Sequence, residues 1–237
     1  MTKKLIAVGC SYTADDYTFP VWPELLSKKL NMELVNFGRS GMGNEYIATK
    51  VTEASIHLND IGLVVCMWSE FTRLDFQFNP DWFSIHERDD ITEDMKHILL
   101  GPYPSTMSSL RQMFLTRSLL RNYSIPYIFI QGTSPYKNNW RVDKEVSDYT
   151  RGKVLYKERK PKPFREICIR TLIENSYIKF LDEKNFLGWP IFHEIGGWCV
   201  DDKLEKDERI SKFDNHPNAN GHQHIAELLY NFYVKNQ

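Results

Sequence analysis

The run Leu63-Val64-Val65-Cys66-Met67-Trp68 contains no charged or hydrogen-bonding aliphatic side chain. A strand with one face in water alternates polar and apolar residues, so a strand that does not alternate must be covered on both faces. A parallel sheet with helices packed on each side meets that demand. Leu5-Ile6-Ala7-Val8, Glu33-Leu34-Val35-Asn36-Phe37 and Tyr127-Ile128-Phe129-Ile130-Gln131 fit the same sheet, and a short fifth strand is expected within 186–191. Helical patterns fall between these runs. Residues 22–30 and 163–176 read as helices. Ile47, Val51, Ala54 and Leu58 share one helical face over 44–58. Leu110, Met113 and Phe114 open a helix that ends near Tyr123. A last helix follows Pro217, with Ile225, Leu228, Leu229 and Phe232 as its apolar stripe. Strand alternating with helix predicts an α/β fold, a three-layer α/β/α sandwich around a central parallel sheet of about five strands.

The chain has 237 residues, 42% of them apolar, enough for one domain with a real core, and residues 1–237 are read as a single domain. Two long, aromatic, proline-bearing segments, near 75–106 and 135–162, interrupt the alternation. They hold Trp82, Phe83, Tyr103, Tyr136 and Trp140. They follow the third and fourth strands, so they are expected at the same sheet edge as the end of the first strand. Long connections of this kind are commonly functional.

Formal net charge is −1, so no basic footprint for nucleic acid is expected. The basic stretch Lys153–Lys162 reads as a solvated loop. The apolar run after Met1 is too short for a signal peptide or a membrane span. Cys10, Cys66, Cys168 and Cys199 lack CxxC spacing, which favours free thiols in a reducing cytoplasm. No membrane partner is expected, and the oligomeric state is not readable. His216, His222 and His224 do not share one helical face and have no carboxylate set beside them, so no metal is expected. His86 and His97 lie among acidic residues of the first long segment, without ligand spacing.

The residues that carry chemistry stand near the two ends of the chain. Gly9-Cys10-Ser11-Tyr12-Thr13 follows the first strand directly. Ser11 is therefore expected at the carboxyl edge of the sheet, where open α/β folds bind ligands. Asp214-Asn215-His216-Pro217 precedes the last helix. A serine, a histidine and an aspartate can act as nucleophile, base and orienter. Each has a plainer reading: Ser11 as a turn or helix cap, His216 as a surface residue before a helix, Asp214 as the negative charge at that helix's N-terminus. Cys10 is an alternative nucleophile. Ser40, in Gly38-Arg39-Ser40-Gly41, lacks the final glycine of a G-x-S-x-G elbow.

Together these segments resemble the SGNH (GDSL-type) hydrolases, a family with a flavodoxin-like α/β/α fold and four short sequence blocks. Gly9-Cys10-Ser11 resembles the first block, with Cys10 where the family usually has Asp. Asn36-Phe37-Gly38-Arg39-Ser40-Gly41 resembles the second and Met67-Trp68-Ser69-Glu70 the third, with Ser69 in the place of the family Asn. Asp214-Asn215-His216-Pro217 resembles the fourth, with Asp two rather than three residues before His. The resemblance runs from end to end of the chain. It implies a serine esterase without cofactor, using Ser11, His216 and Asp214. It implies an oxyanion hole from the amides of Ser11 and Gly41 and the side chain of Ser69. Asn44 and Arg73 are candidates to supplement Ser69 and, with Trp68, to contact substrate.

The expected substrate is a small-molecule or carbohydrate ester, with an O-acetyl sugar as the example. Trp189-Pro190 and Gly196-Gly197-Trp198 are expected to line the same cleft. Two other readings stay open from sequence. Ser11 and Thr13 are placed to donate to a phosphate or FMN, although Asp15 and Asp16 follow at once. A catalytically silent, carbohydrate-binding module of the same fold is the other.

Overall fold

The structure, a computed structural model, describes residues 2–78, 80–86, 99–136, 164–182 and 184–236. In chain order its elements are β1 (Lys4–Gly9), α1 (Trp22–Leu30), β2 (Glu33–Asn36), α2 (Asn44–His57), β3 (Ile61–Trp68), β4 (Leu74–Phe78) and β5 (Asp81–Ile85). They continue with α3 (Pro102–Asn122), β6 (Tyr127–Gln131), α4 (Phe164–Glu174), β7 (Phe186–Leu187), α5 (Val200–Lys203) and α6 (Ala219–Lys235). Five strands make a wholly parallel sheet in the order β2-β1-β3-β6-β7. This is the expected α/β/α sandwich. With the separate β4–β5 pair left out, the strand order is the flavodoxin-like one.

Strand parity builds the two outer layers. Leu5 and Ala7 of β1, Leu63, Val65 and Met67 of β3, and Ile128 and Ile130 of β6 face one side. They pack against Trp22 and Leu26 of α1 and Ile225 and Leu229 of α6. Ile6 and Val8, Val64, Cys66 and Trp68, and Phe129 face the other side. They pack against Ile47 and Val51 of α2, Leu110 and Met113 of α3, and Leu172 of α4. All of these side chains are buried. Burying an aliphatic side chain of this size stabilises by about 1.5–3 kcal/mol. A one-residue slip of β3 would exchange both faces at once, so its register is tightly specified.

Two elements differ from the sequence reading. The helix expected from Leu110 begins at Pro102. Pro102 and Pro104 lie in its first turn, where a missing N–H breaks no helical hydrogen bond. Part of the first long segment is the antiparallel pair β4–β5, with Phe76 opposite Phe83 and Gln77 opposite Trp82. Most of the second long segment, Trp140 included, lies outside the described residues, as does His97.

The strand order reverses between β1 and β3. Chain leaving β1 crosses to β2 on one side, and chain leaving β3 proceeds to β6 on the other. This opens a crevice at their carboxyl ends, where Gly9 pairs with Met67. Ser11 lies two residues past Gly9.

Candidate active site

The segment after β1 folds back at once. The amides of Thr13 and Ala14 both donate to the Cys10 carbonyl, at 2.9 and 3.1 Å. They are therefore not turned outward as a phosphate cradle would need. Cys10 is fully buried, while Ser11 keeps 8% of its surface. The neighbouring thiol is thus hidden and the hydroxyl accessible. Ser11 Oγ lies 2.9 Å from His216 Nε2. His216 Nδ1 lies 2.6 Å from Asp214 Oδ1, which also accepts the backbone N–H of His216 at 3.0 Å. Those two hydrogen bonds, the backbone one first, hold the Asp214 carboxyl below the usual carboxylate range. A spacing of two residues between Asp and His therefore still brings carboxylate and imidazole together.

The Asp214–His216 loop is fixed from several directions. Ile210 N–H donates to the His216 carbonyl at 2.9 Å. Asn218 caps α6 by accepting from the amides of Asn220 and Gly221. Arg209 Nη1 donates to the Asn215 carbonyl at 2.7 Å and pairs with Asp201 Oδ1 at 3.1 Å. The Tyr12 hydroxyl donates to the same Asp201 oxygen at 2.7 Å, and Ser134 N–H donates to Asp201 Oδ2 at 2.9 Å. Burial first, and Asp201 next, push the Tyr12 phenol far above its ordinary value, so it remains a donor.

Aromatic rings surround the imidazole. Tyr12 stands edge-on to His216 with centroids 5.6 Å apart, and Tyr17 is tilted against it at 6.5 Å. Tyr17 also stacks on Phe19 and reaches the Ser11 carbonyl with its hydroxyl, 3.3 Å away. Burial, followed by the charge of Asp214, pushes the Tyr17 phenol up to about 12. Tyr12, Tyr17, Asp201 and Arg209 were not visible from the sequence. Tyr12 has only its adjacency to Ser11, and the others have no spacing pattern at all.

The segment after β2 lies alongside. Phe37 N–H donates to the Ala7 carbonyl and Arg39 N–H to the Gly9 carbonyl. Asn36 Nδ2 donates to the Thr13 carbonyl at 2.9 Å. Gly38 is required by this contact, since a Cβ there would lie 2.4 Å from the Thr13 carbonyl carbon. Gly41 has φ +82°, a conformation costly for any other L-residue. The amides of Ser11 and Gly41 have no hydrogen-bond partner among the described residues. β4 holds the same segment from behind: Arg73 Nη1 donates to the Met42 carbonyl at 3.0 Å. The Asp75 carboxylate accepts from Gly43 N–H and Tyr46 N–H, so it caps α2 from another strand.

Other residues singled out in the sequence occupy different places. Trp68 is fully buried, edge-on to Phe129, and has no surface to offer a substrate. Ser69 is fully buried too, and its hydroxyl has no hydrogen-bond partner among the described residues. Asn44 is spent on neighbours: its Oδ1 accepts from Ser69 N–H, and its Nδ2 reaches Ser109 Oγ and the Ser69 carbonyl. Arg73 is spent on Met42 and Glu70. Both line a cavity of about 410 Å³ between α2, α3 and β4–β5, whose walls include neither Ser11 nor His216. The Ser40 hydroxyl is taken by Asp16. Trp189 packs on Phe186, and Trp198 lies under Lys203.

His222 is buried, with Nδ1 accepting from Trp22 N–H, while His224 pairs outward with Glu208. Among the described residues no three His, Cys, Asp or Glu side chains are grouped as metal ligands would be, and no helix is long and apolar enough to cross a membrane.

No protein-family model matches this sequence, and no curated protein matches it. Solved structures do. A protein assigned as a lipolytic protein of the G-D-S-L family, from Desulfitobacterium hafniense DCB-2, superposes with a TM-score of 0.53 at 15% identity, over 97% of this chain and 99% of that one. The chain has the SGNH-hydrolase fold. A protein assigned as an SGNH hydrolase from Slackia heliotrinireducens gives 0.51 at 14% identity, over 98% of this chain and 100% of that one. In this SGNH fold the β1, β2 and β3 ends meet at one edge, and the α6 loop delivers His216 to the same place.

Proposed function

We propose that the chain is a serine esterase that cleaves a carboxylic ester through an acyl-enzyme, with Ser11 as nucleophile, His216 as base and Asp214 as orienter. The observation that carries this reading is the continuous hydrogen-bonded line from Ser11 Oγ through both ring nitrogens of His216 to Asp214. His216 Nε2 takes the hydroxyl proton as Ser11 Oγ attacks the ester carbonyl carbon. Asp214 fixes the proton on Nδ1 and stabilises the imidazolium that results. The carbonyl oxygen becomes an oxyanion facing the amides of Ser11 and Gly41. Collapse breaks the bond to the alkoxy group, which leaves as alcohol with the proton held on Nε2. Water, deprotonated by the same nitrogen, then attacks the acyl-enzyme, and the carboxylic acid departs. An acetyl group on a carbohydrate is the substrate class we favour, because Tyr17 and Phe19 stack beside the histidine.

Labelling with a fluorophosphonate and mapping of the modified peptide tests the assignment. Wild-type protein is expected to carry the adduct on Ser11. Ser11→Ala is expected to lose labelling and to reduce ester hydrolysis by at least about a thousandfold. An adduct on Cys10 or Ser40, with Ser11 unmodified, overturns it.

A further inference from the structure

The two amides that face the oxyanion in the esterase reading stand on different segments, Ser11 after β1 and Gly41 after β2. The second segment is anchored on both sides of Gly41. Arg39 N–H donates to the Gly9 carbonyl at 3.1 Å, Arg73 holds the Met42 carbonyl, and Asp75 holds Gly43 N–H. Between these anchors the chain turns, and Met42 N–H closes the turn on the Arg39 carbonyl at 3.3 Å. Ser40 and Gly41 are its central residues. A negative φ at Ser40 and φ +82° at Gly41 fit a type II turn. Ser40 is exposed, so the tip of the turn stands out from its packed base. One side chain ties that tip down. Ser40 Oγ donates to the Asp16 carboxylate, and among the described residues this is the only hydrogen bond made by Ser40 or Gly41. Asp16 belongs to the segment that carries Ser11. The amides of Thr13 and Ala14 fold that segment on itself, and Tyr17, the residue after Asp16, reaches back to the Ser11 carbonyl.

We propose that Asp16 and Ser40 are positioning residues, whose hydrogen bond fixes the Gly41 amide relative to Ser11. The assignment rests on the esterase reading above. The Gly41 N–H belongs to the planar peptide unit that runs from Ser40 Cα to Gly41 Cα. Holding Ser40 therefore holds one end of the unit that carries the donor. Oxyanion donors work at about 2.7–3.1 Å from the charged oxygen, and a misplacement of about 1 Å can cost about a hundredfold. Two donors on separate segments meet that demand only if the segments keep their spacing. Core packing fixes the base of the turn; at its exposed tip the Asp16–Ser40 bond has that task. The oxyanion forms only as Ser11 attacks, so loosening the tip weakens the transition state more than the bound ester.

The test measures p-nitrophenyl acetate hydrolysis and the rate of fluorophosphonate labelling in wild type, Asp16→Ala, Ser40→Ala, their double variant, Asp16→Asn and Ser40→Thr. Each alanine variant is expected to lower kcat at least about fivefold with KM changed less than about threefold. Labelling should slow by a similar factor, since phosphonylation also places a polarised oxygen in the hole. Asp16→Asn keeps an acceptor and Ser40→Thr a hydroxyl, so both should lie closer to wild type than to alanine. Asp16→Asn also removes the charge, which separates the hydrogen bond from a field effect. The double variant should be no more than about twofold slower than the slower single one, because all three remove the same contact. A bond that served folding alone would lower the urea midpoint and leave kcat unchanged. Given wild-type labelling at Ser11, a kcat loss below about fivefold in either alanine variant overturns the assignment. Conservative variants no better than alanine, or losses that multiply in the double variant, overturn it as well. A wild-type protein that does not label at Ser11 brings down the esterase reading instead, and this assignment with it.

Discussion

The Tyr12 hydroxyl lies 3.0 Å from the Asn215 carbonyl, joining residues 203 positions apart. Tyr12 follows Ser11 and Asn215 precedes His216, so this contact runs parallel to the Ser11–His216 hydrogen bond one residue away. It is cross-braced by Arg209, which holds the Asn215 carbonyl and the Asp201 carboxylate, and Asp201 in turn accepts from Tyr12. The distance between hydroxyl and imidazole is thus set by a frame of four residues that are not in the proposed chemistry.

Breaking that frame should affect stability and activity together. Arg209→Met leaves Asp201, whose side chain is 26% exposed, without its cation. Removing one partner of a buried pair costs about 3–5 kcal/mol, and the partial exposure here lowers the expectation to about 2 kcal/mol. The Asn215 carbonyl also loses its strongest donor, so fluorophosphonate labelling should slow at least about tenfold. Arg209→Lys keeps the charge but not the fork that reaches both partners, and should fall between. Urea unfolding and labelling rates measured on both variants check this. Wild-type labelling in a destabilised Arg209→Met protein would mean that the frame serves folding only.

Ser69 provides the opposite case. Its hydroxyl is buried without a hydrogen-bond partner among the described residues, and leaving such a group unsatisfied costs about 1–3 kcal/mol. Ser69→Ala removes that cost. The expected result is unchanged or increased stability and a kcat within about threefold of wild type. Ser69→Asn, which restores the residue usual in the family block, forces extra volume into a closed site and should destabilise by about 1–3 kcal/mol. A loss of kcat beyond about a hundredfold in Ser69→Ala, with KM unchanged, would instead put Ser69 among the oxyanion donors.

The strands were legible because burial on both faces leaves unbroken apolar runs, and Tyr127–Gln131 falls where the pattern puts it. The placement of Ser11, Asp214 and His216 was legible because strand ends and helix starts are local features. Trp68 shows where reading stopped short. It shares parity with Val64 and Cys66, which face the α2–α3 core, and that alternation would have assigned it to packing. The β4–β5 pair left a signal too, since Leu-Asp-Phe-Gln-Phe alternates strictly and is followed, after the turn residues Asn79-Pro80, by the aromatic run Asp-Trp-Phe-Ser-Ile. Nothing local announces the frame: Tyr12 and Asp201 lie 189 positions apart, and only the folded sheet brings them into contact.

The last prediction concerns pH. His222 is buried between α6 and α1, with Nδ1 accepting from Trp22 N–H. Burial, and next the nearby His216, lower its pKa from 6.5 to about 4. The unfolded chain therefore binds a proton at this residue below about pH 6.5, while the folded protein does not until about pH 4. Stability from this group is fully present above about pH 6.5 and is lost as pH falls toward 4. The linked loss amounts to about 3 kcal/mol at the acid end. His222→Gln keeps an acceptor for Trp22 N–H but cannot titrate. Its unfolding free energy should be lower than wild type at pH 7, with the gap narrowing by pH 4.5. Urea titrations of both proteins at pH 7, 5.5 and 4.5 measure the difference. Parallel pH profiles for the two proteins would show that His222 is not held neutral by its burial, because a group that titrates alike in both states contributes no pH dependence to folding.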